Sequence, residues 1–169
     1  MKSLQNKLYE GFYKNAGGVP QPRSKAELQK EIMTRLDRGI FDLNGIDISK
    51  ITDMSFLFQP LRKYDLSKID ISEWNTSNVT NMNSMFEGCS KFNCDLSKWD
   101  VRNVRDMKYL FQGCSNFSAD LSNWKVNGQV ELFNTFNRSS AEEPRWYQKI
   151  SRNREREVFK SIISGRIHF

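Results

Sequence analysis

A unit of 25 residues repeats along the middle of this chain and limits the fold more than any other feature of the sequence. Trp74, Trp99 and Trp124 lie 25 residues apart. The same step joins a series of identical or similar pairs: Val79 and Val104, Met82 and Met107, Met85 and Leu110, Phe86 and Phe111, Gly88 and Gly113, Cys89 and Cys114, and Phe92 and Phe117. Chance does not produce so many matches at one offset. Units of this length bury their apolar side chains by stacking on their neighbours.

Irregular copies precede and follow the regular ones. The run 51–58 matches the run 79–86 at an offset of 28 residues. In the last copy Leu132 and Phe136 keep the apolar positions, whereas Thr135 replaces an apolar residue. Terminal repeats face solvent on one side, so degenerate ends are expected. The sequence therefore predicts about three to four stacked units.

Each unit predicts a short strand followed by a helix. The stretch 95–99 alternates apolar and polar residues, as a strand does. The stretch 103–114 begins at Asn103, a good N-cap, places apolar residues at helical spacing, and ends near Gly113, which suits a left-handed C-cap. We therefore predict an α/β repeat fold. It would be a short leucine-rich-repeat-like solenoid of parallel strand–helix coils with a helical cap at each end.

The repeat also resembles that of a known family. The pattern N-V-x-x-M-x-x-[ML]-F-x-G-C-S-x-F-x-x-D-L-S-x-W begins at Asn78 and again at Asn103. It is similar to the 25-residue repeats of BspA-like bacterial surface proteins and mycoplasma-type lipoproteins, which are related in architecture to leucine-rich repeats. The resemblance covers roughly residues 24 to 137. It implies a binding or adhesion role without catalytic residues, and such repeats also occur in virus-encoded proteins.

Sequences of different character flank the repeats. A helix is predicted over 24–39, where Ser24 and Glu27 form a capping box and Gly39 ends the helix. This helix is expected to cap the first repeat. The chain is thus predicted to have three segments: 1–46, the N-terminal segment and capping helix; 47–137, the repeats; and 138–169, a basic C-terminal helical cap.

Positive charge lies mainly at the two ends of the chain. The formal net charge is +6, and residues 138–169 carry eight Lys or Arg against four Glu. Basic ends leave nucleic-acid binding open as an alternative function. The run 152–157 alternates in sign, however, which is typical of a solvated helix face.

The residues needed for catalysis are not grouped in the repeats. Asp70, Asp95 and Asp120 are equivalent positions and are expected to accept backbone hydrogen bonds rather than act as an acid and a base. The single histidine is His168, and there is no glycine-rich phosphate loop. We therefore expect no enzymatic activity, no cofactor and no metal site, with an unrecognised hydrolase as a remaining alternative.

Three cysteines and the absence of long apolar runs bear on location. An odd number of cysteines argues against a disulfide framework. Cys89 and Cys114 share a repeat position and are expected to be buried, whereas Cys94 lies off that register and is the best candidate for a reactive thiol. No apolar run approaches 18 residues, and no export leader is seen. The expectation is a cytoplasmic protein, of a cell or of a phage or virus host, or a surface protein if a leader is missing.

Positions that vary between copies are the candidates for binding, because the repeated positions build the scaffold. The repeated Met, Phe and Trp residues are accordingly interpreted as core. The prediction is a monomeric module that binds a protein partner, does not insert into a membrane, and uses Lys98 and Arg102 centrally. The candidate partner-binding residues are Glu73, Lys98 and Asn123 at one strand position, Arg102 after the strand, and Tyr109 on the helix side.

Overall fold

The computed structural model describes residues 18–164. In that range it has two α-helices, α1 (Lys25–Asp37) and α2 (Arg145–Ile163), and two 3₁₀ helices, Gln59–Leu61 and Leu66–Lys68. The helix predicted over 24–39 is therefore present as α1. The four repeat copies lie between α1 and α2, and each lies against the next. Residues 42–137 are called the repeat stack below.

Backbone hydrogen bonds join each copy of the repeat stack to the next. Between the second and third copies, alternate amides donate at 2.8 to 3.1 Å: Met82 to Asp106, Ser84 to Lys108, Phe86 to Leu110, and Gly88 to Gln112. Parallel bridges along this ladder link Asp53, Asn81, Asp106 and Glu131 in succession. These alternate amides therefore bond to the neighbouring copy, whereas helical amides would bond within their own segment.

The predicted solenoid of strand–helix coils is wrong. Within residues 18–164 both α-helices lie outside the repeat stack, and pairing is limited to isolated bridges without a sheet. The segment predicted as a helix is a series of turns, in which, for example, the Leu110 amide donates to the Met107 carbonyl. The predicted N-cap Asn103 instead donates its side-chain amide to the Ser77 carbonyl of the previous copy at 2.8 Å.

One backbone position explains why the helix does not form. The φ angle is positive at the same place in every copy: 57° at Phe56, 52° at Ser84, 58° at Tyr109 and 55° at Asn134. A right-handed helix cannot continue through a left-handed residue. The apolar spacing is still satisfied, because this turn returns the next two residues to the core. The same spacing therefore fits either a helix or this looped coil.

Columns of stacked rings fill the interior of the repeat stack. Successive copies place Phe58, Phe86, Phe111 and Phe136 with ring centroids 5.1, 5.7 and 5.6 Å apart. A second column pairs Phe92 with Phe117 at 5.7 Å. The repeated methionines Met54, Met82 and Met107 are fully buried beside these rings. The interpretation of the Met and Phe positions as core is confirmed.

The tryptophans form a further column, and each indole bonds to another copy. The Nε1 atom donates at 2.8 to 3.0 Å along the column: Trp74 to Leu43, Trp99 to Ile71, Trp124 to Leu96, and Trp146 to Leu121. Each buried indole N–H thus has the acceptor that its burial requires. The prediction that the repeated tryptophans are structural is confirmed, and Trp146 of α2 continues the column beyond the repeats.

Helix α1 closes the first end of the repeat stack. It buries three apolar side chains at helical spacing: Leu28, Ile32 and Leu36. Inside the stack the Met85 carbonyl accepts from the amide of Phe58 in the previous copy. The equivalent carbonyl of the first copy, at Leu57, accepts from Gln29 Nε2 at 3.0 Å. Gln29 therefore supplies the donor that a preceding copy would have supplied.

Helix α2 closes the other end with its first half. Trp146, Tyr147 and Ile150 are partly buried and pack against the core, but no α2 residue is fully buried. Arg154 reaches the last copy, where its Nη2 donates to the carbonyl of Gln129 at 3.1 Å. The stack-facing side of α2 is therefore the side that carries these residues.

Candidate functional site

The carboxylates repeated once per copy belong to backbone turns. Their Oδ1 atoms accept at 2.8 to 3.0 Å from serine amides two residues later: Asp70 from Ser72, Asp95 from Ser97, and Asp120 from Ser122. The Ser97 amide and hydroxyl lower the pKa of Asp95. A carboxyl that is kept ionised in this way suits a structural acceptor rather than a general acid. The expected structural role of these aspartates is confirmed.

The three thiols are buried. Burial raises the pKa of Cys89 to about 12 and that of Cys94 to about 11, and it raises the pKa of Cys114 as well. Cys94 is only 7% exposed. The expectation that Cys94 is reactive is wrong, because a thiol that stays protonated at neutral pH is a poor nucleophile.

Three of the predicted binding residues, Glu73, Lys98 and Asn123, occupy the same repeat position in successive copies. The Lys98 ammonium pairs with the Glu73 carboxylate of the previous copy, and both side chains are more than half exposed. Asn123 is exposed one copy further along. Lys98 therefore already has a partner of opposite charge within the repeat stack.

The other two predicted residues lie elsewhere on the coil. Arg102 pairs with Asp100 of its own copy, with Nε 2.9 Å from Oδ1. Tyr109 lies in the ladder segment, the part of each copy whose alternate amides bond to the next copy (107–113 in the third copy). It packs edge-on against Phe133 of the last copy, with ring centroids 5.5 Å apart and the planes at 87°. The structure thus brings Glu73 and Lys98 together, whereas Arg102 and Tyr109 make contacts of their own.

An aromatic group on the ladder segment was missed by the sequence reasoning. Phe133 is 61% exposed and Phe56 is 44% exposed, although both are large apolar side chains. With Tyr109 they are called the aromatic face below. One signal could have found Phe133: it stands 25 residues after Lys108 and 50 after Asn83, at a position that is polar in those copies. An apolar residue at a polar repeat position has no role in the repeated core.

Comparison with known proteins gives one family. Residues 30–148 match the family described as "Mycoplasma protein of unknown function, DUF285". The chain belongs to the DUF285 family. The mycoplasma-type part of the predicted resemblance is therefore confirmed. No curated protein matches the chain. No solved structure matches it either.

The two ends of the DUF285 match fall at defined places in the structure. It begins inside α1, includes all four copies, and ends at residue 148 in the first turn of α2. Trp146 and Tyr147, which pack on the last copy, lie inside the match. The rest of α2, residues 149–163, lies outside it.

Neither a metal centre nor a membrane span was found in the part of the chain that the structure describes. In residues 18–164, no group of three or more His, Cys, Asp and Glu side chains is arranged to hold a metal ion. No helix in the same range is both long enough and apolar enough to cross a bilayer.

Proposed function

We propose that this DUF285 protein is a non-catalytic module that binds a protein partner through the aromatic face, and that its repeats are kin to the BspA-like repeats that they resemble. The observation that carries the proposal is the edge-to-face contact between the half-buried Tyr109 and the exposed Phe133. Exposed aromatic side chains are enriched at the centres of protein interfaces because they bury much apolar area with few rotatable bonds.

The backbone supplies an independent argument. The fold needs a left-handed residue once per copy, and the last copy meets that need with Asn134, which tolerates this conformation well. The third copy has Tyr109 and the first has Phe56, and bulky side chains adopt positive φ at a cost of about 1–2 kcal/mol. The fold does not require aromatic rings at this position. A role on the surface accounts for them.

Charge favours the aromatic face over a binding centre at Lys98 and Arg102, which the sequence predicts. Both cations are already paired, with Glu73 and Asp100 respectively. Ion pairs at exposed positions contribute little and are screened by salt. A partner that binds at Lys98 and Arg102 would therefore have to break these ion pairs or contact cations whose charge is already matched.

The test replaces the aromatic residues with those that the repeat itself uses at the same positions. In the double variant Tyr109→Asn with Phe133→Lys, Asn copies the residue at 134 and Lys copies the residue at 108. Because Asn relieves the strain at positive φ, we expect stability to be retained or raised by about 0.5–1 kcal/mol. Partners captured from the native host by the wild-type chain, and quantified by mass spectrometry, should be lost from the variant.

The matched control is Lys30→Glu with Lys50→Glu, which changes two exposed residues away from the aromatic face. It should keep the same captured partners. A double aromatic variant that keeps them would contradict the proposal. So would a large fall in its melting temperature, since that would make the aromatic face a packing feature.

Nucleic-acid binding through the basic ends remains the alternative. It would give binding of a DNA or RNA oligonucleotide that weakens steeply as salt is raised. The aromatic double variant would leave that binding unchanged, so the same two proteins distinguish the two functions.

A further inference from the structure

Five cations of α2 lie on one side of the helix. Their steps of 4, 3, 4 and 4 residues keep them on one stripe, since a helix turns about 100° per residue. All five are exposed, and within residues 18–164 Lys160 alone among them has an ion pair, with Glu157. The basic stripe consists of Arg145, Lys149, Arg152, Arg156 and Lys160.

The last turns of α2 carry an exposed apolar patch beside the basic stripe. Phe159 is 64% exposed, Ile163 70%, Val158 52% and Ile162 37%. The partly buried residues of α2 that pack on the core end at Ile150. These four side chains therefore lie beyond the packed part of the helix.

Contacts at the start of α2 fix the direction in which these features point. The Trp146 indole donates to the Leu121 carbonyl at 2.8 Å, and Arg154 bonds to carbonyls of the last copy. Trp146, Ile150 and Arg154 therefore mark the side that faces the repeat stack. Arg152 lies about 200° around the helix from Ile150. Arg152 and Arg156 thus point away from the repeats, whereas Lys149 borders the groove between α2 and the last copy. Phe159 and Ile163 lie on the same outer half of the helix as Arg152.

We propose that the outer surface of α2 binds the surface of a membrane that contains anionic lipid. Exposed cations on such a helix are attracted to acidic headgroups, and adjacent apolar side chains enter the boundary between headgroups and acyl chains. The five cations and the apolar patch together meet both requirements. The helix would lie on the bilayer, with the repeat stack held on the side away from it.

Charge and apolarity together select this partner over two others. Nucleic acid would use the basic stripe, but its phosphates would leave Phe159 and Ile163 without a role. A second copy could cover the apolar patch, but pairing two α2 helices would bring two basic stripes close together in a chain that already has a net charge of +6.

Vesicle co-sedimentation of the full chain tests the proposal. We expect binding to phosphatidylcholine vesicles that contain phosphatidylglycerol and no binding to phosphatidylcholine alone. Arg152→Glu with Arg156→Glu should weaken the binding by about tenfold or more, because it replaces two attractive charges by two repulsive ones. Phe159→Gln with Ile163→Gln should also weaken it, since glutamine keeps the helix but removes the apolar contact.

The control Lys30→Glu with Lys50→Glu makes the same change in net charge on exposed positions outside α2 and should bind like the wild type. Thermal melting checks that all variants remain folded, which we expect because the altered α2 residues make no core contacts.

Four results would overturn the proposal. The first is no preference for anionic vesicles, and the second is unchanged binding in either α2 variant. The third is binding to a single-stranded RNA oligonucleotide that is tighter than binding to the anionic vesicles and that the glutamine variant retains. The fourth is a wild-type dimer in sedimentation equilibrium that the Arg152→Glu with Arg156→Glu variant still forms and the glutamine variant does not. That result would assign the apolar patch to a second copy.

Discussion

The two helices that close the repeat stack do so in different ways. Helix α1 buries Leu28 and Ile32 completely, and it pairs the buried Arg35 with Glu31 at 2.9 Å. Helix α2 has no fully buried residue and makes its main contacts through its first half. The first helix is therefore a structural cap along its length. The second is a cap at its start and an open surface at its end.

The family match divides α2 at about the same place. The DUF285 match ends at residue 148, after Trp146 and Tyr147 have packed against the last copy. The matched part of α2 is thus the part that closes the core. The basic stripe from Lys149 to Lys160 and the apolar patch lie outside the matched residues.

The largest expected effect tests whether the core between the caps is one unit. Phe111 is fully buried, with rings of the neighbouring copies 5.6 and 5.7 Å away. Phe111→Ala should lower the free energy of unfolding by about 3–5 kcal/mol, and Phe86→Ala by a similar amount. The exposed Phe159→Ala on α2 is the control and should change it by less than about 0.5 kcal/mol. Denaturant titration measures both, and equal effects would show that α2 is packed along its whole length.

The second prediction compares the caps directly. Ile32 of α1 is fully buried, whereas Ile150 of α2 is only partly buried. Ile32→Ala should destabilise the protein by about 2–5 kcal/mol through the lost contacts and the cavity. Ile150→Ala should cost about 1 kcal/mol, in proportion to the smaller apolar area that it buries. A larger loss at Ile150 would reverse the assignment of the two helices.

The third prediction concerns the hydrogen bond that anchors α2. Trp146→Phe keeps a ring in the tryptophan column but leaves the Leu121 carbonyl without its donor at 2.8 Å. The free energy of unfolding should fall by about 1 kcal/mol, the usual net value of such a bond. Trp124→Phe, deeper in the column, should cost more. Equal losses at the two positions would indicate that α2 is docked as firmly as a repeat copy.

The smallest expected effect depends on pH and lies at the α1 end. Burial raises the pKa of Asp53, but hydrogen bonds from Ser55 and Lys25 outweigh it, so the pKa of Asp53 is lowered. A lowered folded pKa stabilises the protein above about pH 4 and loses that effect as the pH falls through the folded value. Lys25→Met should cost about 0.5 kcal/mol near neutral pH.

The difference between the wild type and Lys25→Met should shrink in acid, as Asp53 takes up its proton. Melting temperatures between pH 6 and pH 3 measure this, with the exposed Lys30→Met as the control on the same helix. A difference that grows in acid would mean that Lys25 acts through some other group.

The sequence by itself determined the repeat, the core and the first cap. Period and residue type sufficed for Phe86, Phe111 and the tryptophans, because stacking equivalent residues is the only way for a short unit to bury them. The helix before the repeats could also be predicted from the sequence, since Ser24 and the apolar spacing after it are local signals. The turn-forming role of Asp95 followed from its recurrence in every copy.

Tertiary structure alone decided the path of the chain between those positions. A helix and a coil of turns place the apolar residues of 103–114 on the same side, so spacing could not choose between them. The choice rests on amides that bond to the neighbouring copy, and on a left-handed residue such as Tyr109 that lets them do so. Those partners are about 25 residues away in sequence. For the same reason, the exposure of Phe56 and the contact between Tyr109 and Phe133 could be known only once the copies were stacked.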